Sequence, residues 1–239
     1  MKKLLLSITT GFLVGIVSFV LISSNSSAAL SSNIYISLTD MQLEIKRLTE
    51  TDPQLSLSSN PYSYIKNNKE YERIIKLGIP ALPVIEQRIS EGPNYGLDKY
   101  ILAIAAEEIA RVNLKKGDYR WSDAEEFIRS WKLYLKSVPK KVDEIVSANE
   151  TFEWKNDKLA ELGTPAIPYI KEKGIKEIEP SLQKIIVSHG PTQIPSIQND
   201  DISMEQWESE HKQDVKILKA LIKKASEEPE INKSFRVKN

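Results

Sequence analysis

The chain has 239 residues, no cysteine, and 33 Lys plus Arg set against 33 Asp plus Glu. The missing thiol excludes disulfides, thiolate metal sites, a cysteine nucleophile and a lipid-modified cysteine, and the balanced charge gives no basic field for nucleic acid. Charged residues at 28% beside a hydrophobic 41% exclude disorder for most of the chain and suit one helical domain.

Met1-Lys2-Lys3 and the apolar run from Leu4 to Ile22 form a basic n-region and an h-region, and Ser27-Ala28-Ala29 supplies small residues for signal peptidase. Residues 1–29 therefore read as a signal peptide cleaved after Ala29, which places the protein outside the membrane, secreted or cell-wall associated. The alternative is an uncleaved anchor, because about 19 apolar residues approach the length of a bilayer span. Ser7, Thr9, Thr10, Gly11 and Gly15 weaken such a span, and membrane contact is expected only through an uncleaved leader. Residues 30–63 begin and end in Ser- and Asn-rich stretches, with one helix expected from Thr39 to Glu50 that aligns Met41, Ile45 and Leu48. They read as a tether with a short docking helix.

An internal repeat organises residues 64–226. Leu77-Gly78-Ile79-Pro80-Ala81-Leu82-Pro83-Val84-Ile85 aligns without gaps on Leu162-Gly163-Thr164-Pro165-Ala166-Ile167-Pro168-Tyr169-Ile170, with six of nine positions identical at an offset of 85. Gly ends one helix at little conformational cost, and two residues on a Pro with its φ already set begins the next. Pro83 and Pro168 fall in or beside the first helical turn, where most N–H groups have no intrahelical acceptor to lose. Ile74, Ile75 and Leu77 before the first corner, and Leu82, Ile85 and Ile89 after it, give both helices an apolar face.

Between the corners, Gly96 to Leu114 predicts a helix with Leu97, Ile101, Leu102, Ala105, Ile109 and Val112 on one side. Ser122-Asp123-Ala124-Glu125 reads as a capping box, followed by a stripe of Phe127, Ile128, Trp131, Tyr134 and Leu135. Pro139 is expected to break that pattern before a short helix through Val142, Ile145 and Val146. After the second corner, Pro180 opens a short helix through Leu182, Ile185 and Ile186, and a loop runs from Gly190 to Asp201. A final long helix is expected from Ser203-Met204-Glu205-Gln206 through Trp207, His211, Val215, Leu218, Leu221 and Ile222, with a polar tail over 227–239.

Residues from about Pro61 to Ala225 resemble exported bacterial HEAT-like helical repeat proteins of unknown function. The Leu-Gly-x-Pro-Ala-x-Pro corner carries the resemblance in both halves, helped by Asn60-Pro61-Tyr62 and by Ile101-Leu102-Ala103-Ile104-Ala105. The fold it implies is all-α, a HEAT-like α-α superhelix of about eight helices in two related halves. The function it implies is a protein-binding scaffold, and no functional residue is carried over with it.

Catalytic motifs are missing: the sequence has no Gly-x-Ser-x-Gly elbow, no His-Glu-x-x-His, no phosphate-cradling Gly loop and only two histidines. His189, before Gly190-Pro191, suits a helix end. His211 lies on the apolar stripe near Asp214, a weak start for a metal site that one helix cannot close alone. Trp131 and Trp207 sit on core stripes, whereas Trp121 and Trp154, near helix starts, stay open as binding residues. Glu108 lies only about 20° around its helix from Ile101, so it should be drawn into the core while Glu107 and Arg111 point away. The reading is an exported, non-catalytic module for an unidentified protein partner, with Glu108, Trp121 and Trp154 as candidate contacts and no cofactor. The alternative is a metal- or carboxylate-dependent cell-envelope enzyme using His211 with acidic residues.

Overall fold

The computed structural model describes residues 28–91, 96–188, 190 and 204–228. The expected leader through residue 27, His189, the expected loop beyond Gly190, Ser203 and most of the expected polar tail lie outside the described residues. Among the described residues there are twelve α-helices and no strand, and no helix is long and apolar enough to cross a membrane. The first helix, α1 (28–51), starts well before the expected Thr39. The stripe of Met41, Ile45 and Leu48 continues back through Leu38 to Ile34, and Ile34, Leu38 and Met41 are buried in the common core. The helix docks on the core through this stripe, whose apolar residues find a partner surface.

Two short helices follow, α2 (Pro53–Ser56) and α3 (Tyr62–Ile65), and then α4 (Lys69–Lys76), whose N-cap Asn68 accepts hydrogen bonds from the Glu70 and Tyr71 amides. The corner after α4 has Gly78 at φ 64°, ψ −159°, a 3-10 turn over Ile79–Ala81, and α5 (Leu82–Ser90). The second corner repeats it: Gly163 at φ 60°, ψ −164°, a 3-10 turn over Thr164–Ala166, and α9 (Ile167–Lys173). Only glycine holds that backbone without strain, so the sequence repeat is a repeat of geometry.

The helix α6 (Leu97–Ala110) is shorter than expected, because it closes in a Schellman turn. The Val112 amide reaches the Glu107 carbonyl at 3.1 Å, the Arg111 amide reaches the Glu108 carbonyl at 3.2 Å, and Arg111 itself is left-handed at φ 55°. Every residue from Ile101 to Ala110 is buried. From Ile101 on, α6 therefore has no solvent face, and its mix of Ala, Ile and Leu there is that of a helix covered on all sides.

Helix α7 (Ala124–Ser147) runs unbroken through Pro139, against the expected break. Proline inside a helix costs about 3 kcal/mol, but Phe127, Trp131, Tyr134, Leu135, Val138 and Val142 are buried along this one helix. At about 1.5–3 kcal/mol for each large side chain, that burial outweighs the proline. Its cap also sits one residue later than the sequence box: Asp123 accepts from the Glu126 amide at 2.8 Å, and Glu126 accepts in return from the Ser122 amide and hydroxyl. The remaining helices are α8 (Phe152–Ala160), α10 (Glu179–Val187), α11 (Met204–Glu210) and α12 (Lys212–Glu227). The expected single last helix is split at His211, whose ψ of 25° separates α11 from α12.

Shifted by 85 residues, α4, α5 and α7 fall on α8, α9 and α12, and the packing repeats with the order. In each half the helix before the corner packs on the third helix, and the helix after the corner packs on the third and fourth: α4 and α5 on α6, α5 on α7, then α8 and α9 on α10, α9 on α12. The two fourth helices, α7 and α12, pack on each other and join the halves, and α12 also touches both corners. Buried Glu86 of α5 locks that junction, accepting from Trp131 Nε1 of α7 at 3.1 Å and from Lys224 Nζ of α12 at 2.7 Å.

The two corner glycines are not equally tolerant. A Cβ on Gly78 would meet only Pro80 Cδ at 3.9 Å, whereas on Gly163 it would lie 2.3 Å from the Ala110 carbonyl oxygen and 2.5 Å from Val112 Cγ1. Gly78→Ala is expected to cost roughly 1–3 kcal/mol from backbone strain alone. Gly163→Ala is expected to cost clearly more, since α6 must also move. Urea unfolding of the two variants checks the order, and equal losses would contradict it.

Candidate functional site

A cleft of about 650 Å³ opens where the two corners face each other. Gly78, Ile79 and Pro80 of the first corner and Thr164 and Ile167 of the second line it, together with the end of α6, the end of α10 and the α11–α12 junction. Its volume lies within the range of ligand sites, about 300–1,000 Å³. The apolar lining follows from the corners, where 3-10 turns present aliphatic residues, and from Trp207, buried in the middle of α11.

Charged groups reach the cleft from the helix ends. Glu108, 5% exposed, is covered by the backbone of Gly190, where an added Cβ would lie 2.5 Å from Glu108 Cα. Arg111, which the helical count turned outward, leaves the helix in its left-handed conformation and crosses to the end of α10. There Arg111 Nη1 donates to the carbonyl of Ile185 at 2.6 Å and to that of Ile186. A non-glycine residue in this conformation costs about 1–2 kcal/mol, and the bonds to the negative end of α10 offset it. Burial pulls the Arg111 guanidinium down to about 10, against the attraction of Glu108, and it stays charged at neutral pH.

At the α11–α12 junction, the His211 ring stacks on Trp207 with centroids 4.6 Å apart and planes 4° apart, and Nδ1 lies 2.8 Å from the Trp207 carbonyl oxygen. This contact holds His211 out of helical geometry and starts α12. Asp214, in the first turn of α12, has its carboxyl raised by burial, with His211 acting in the opposite direction. Thr164, 4% exposed, carries a hydroxyl that makes no hydrogen bond among the described residues. Such a group costs about 1–3 kcal/mol. No group of three or more His, Cys, Asp or Glu able to hold a metal occurs among the described residues.

Of the residues singled out from the sequence, Glu108, His211 and Asp214 meet in this cleft, and Trp121 and Trp154 do not. Trp154 is 37% exposed at the start of α8. Trp121 is buried, donates from Nε1 to Glu107 at 3.1 Å, and lies under the Lys115 ammonium, 3.8 Å from the ring centroid. Glu107 corrects the helical count a second time: it is fully buried, and the same Oε1 also accepts from the Leu114 amide at 2.7 Å. The count failed because α6 is enclosed, so pointing away from one core wall means pointing into another. Thr164 and Arg111 were missed. The one signal for Thr164 is that it replaces Ile79 of the first corner, and nothing local announces a left-handed arginine. No family model, curated protein or solved structure matches the chain.

Glu107 generates a pH test. Burial, ahead of the opposing hydrogen bonds from Trp121 and Leu114, raises its carboxyl above the usual value. The folded state then binds a proton that the unfolded state has released, so this group's contribution is full at low pH and is lost as pH rises from the ordinary carboxylate value through the raised one. Glu107→Gln is expected to remove that part of the pH dependence, read as the difference in melting temperature between wild type and variant across pH 4–8. Glu107→Ala, which leaves two buried N–H groups unpaired, is expected to cost roughly 2–5 kcal/mol. Parallel melting curves for wild type and Glu107→Gln would contradict the assignment.

Proposed function

We propose that this protein is an exported, non-catalytic binding module, secreted or held at the cell wall, that recognises a protein partner in the cleft between its two corners. The observation that carries the reading is the cleft itself: about 650 Å³, walled by both copies of the repeated corner and by helix ends rather than by one flexible loop. Recognition needs shape and a few anchors, and the sequence offers no catalytic motif to compete with that use. The repeated corner, and the recurrence of helix order and packing after 85 residues, support a HEAT-like arrangement of helical hairpins. The leader of residues 1–29 supports export, and cleavage after Ala29 removes only the first two residues of α1.

A randomised peptide library selected on the purified mature protein tests the reading. Peptides are expected whose binding falls at least tenfold in Lys76→Trp, where an exposed rim position is filled without disturbing the core. A tenfold loss corresponds to about 1.4 kcal/mol. Selection of no peptide, or of peptides indifferent to the filled rim at unchanged melting temperature, would overturn it.

A further inference from the structure

The two corners share one backbone and differ at a position that lines the cleft in both: Ile79 in the first is Thr164 in the second. The corner itself is built equally well with an aliphatic residue there, so the Thr164 hydroxyl serves no need of the turn. It is buried and without a hydrogen-bond partner among the described residues, a state that native proteins rarely leave unanswered. Asp214 lines the same cleft. It is half-buried, and burial holds its carboxyl above the ordinary range against the attraction of His211.

The charge count points the same way. Glu72, Glu108 and Glu210 line the cleft beside Asp214, four carboxylates against Lys76, Arg111 and the imidazole of His211. The Arg111 guanidinium is turned to the carbonyls that end α10, and Lys76 stands exposed at the rim. A ligand entering the cleft therefore meets more carboxylate than cation, and aliphatic wall from both corners. A negative ligand would add repulsion to that excess of carboxylate.

Resting on the reading of this cleft as a recognition site, we propose that its ligand is a peptide segment presenting a lysine or arginine side chain. The alkyl stem lies on the apolar wall and the cationic head donates to Asp214 and to the Thr164 hydroxyl. Long basic side chains suit such a wall because their stems bury while their heads stay polar, and a charge-assisted bond to a half-buried carboxylate is stronger than a neutral one. The cleft is larger than one side chain needs, which favours a segment of chain over a free amine.

The library selection described above reads this directly. Peptides that depend on an open rim are expected to be enriched in lysine or arginine and to lose affinity as salt rises. They are expected to weaken roughly tenfold or more in Asp214→Asn, and by a smaller factor in Thr164→Val, which keeps the side-chain shape and removes the hydroxyl. Lys76→Gln, which removes a competing cation, is expected to strengthen them. Melting temperatures of the three variants separate lost binding from lost folding, and Glu72→Gln supplies a second charge change on a different helix. Rim-dependent peptides that are acidic or uncharged, or that ignore Asp214→Asn and Glu72→Gln, would overturn this proposal and leave the binding cleft standing. Complete displacement of the peptides by 1,5-diaminopentane at the peptides' own concentration would also overturn it, because the site would then read a free cation. No rim-dependent peptide at all would overturn the cleft reading itself.

Discussion

The contact on which the rest of the molecule depends is the seat of Gly163 against the end of α6. A missing Cβ lets the second corner come within contact distance of the Ala110 and Arg111 carbonyls and of Val112. The Tyr134 hydroxyl of α7 donates to the Leu162 carbonyl at 2.5 Å, directly before that glycine, and holds the corner from the other side. A tyrosine buried this deeply needs such an acceptor, and its burial raises the phenol well above the ordinary value. The corner is thus more than a turn between two helices. It is the surface by which the second half docks on the first.

The cleft follows from that seat. With the second corner against α6, Thr164 and Ile167 face Ile79 and Pro80 across a gap that neither corner can close, because each is braced from behind by its own helices. α12 then bridges the two corners, fixed at one end by Lys224 on buried Glu86 and at the other by the stacked Trp207–His211 pair. Ending α6 in a left-handed arginine adds a charged strut from α6 to the end of α10. A concave site walled by several helix ends is rigid on that account, which is what a preformed recognition surface requires.

The parts of this fold that were legible in the sequence are those fixed by local chemistry. Gly followed by Pro dictates the corner wherever it occurs, and the offset of 85 between copies carries the helix order of both halves. Pro139 was misread because tertiary burial, worth several kcal/mol along α7, overrides a local helix rule, and the split at His211 because its ring bonds and stacks on Trp207. Glu107 and Arg111 were misread for another reason: a helical count assigns one buried side, and from Ile101 α6 is buried on every side until it ends four residues early. The candidate site was half legible. Glu108, His211 and Asp214 stood out as polar residues on apolar stripes, while Thr164 is visible only as a difference between two aligned corners, and the distance between those corners in space is not written in either.

Native-state hydrogen exchange tests the docking of the two halves most directly. If the seat of Gly163 makes them one unit, the amides of α9 and those of the last turns of α6 open together, with the free energy of global unfolding. A separate, lower-energy opening of α8 to α10 while α6 stays protected would contradict it, and with it the view that the cleft is a fixed feature of the fold.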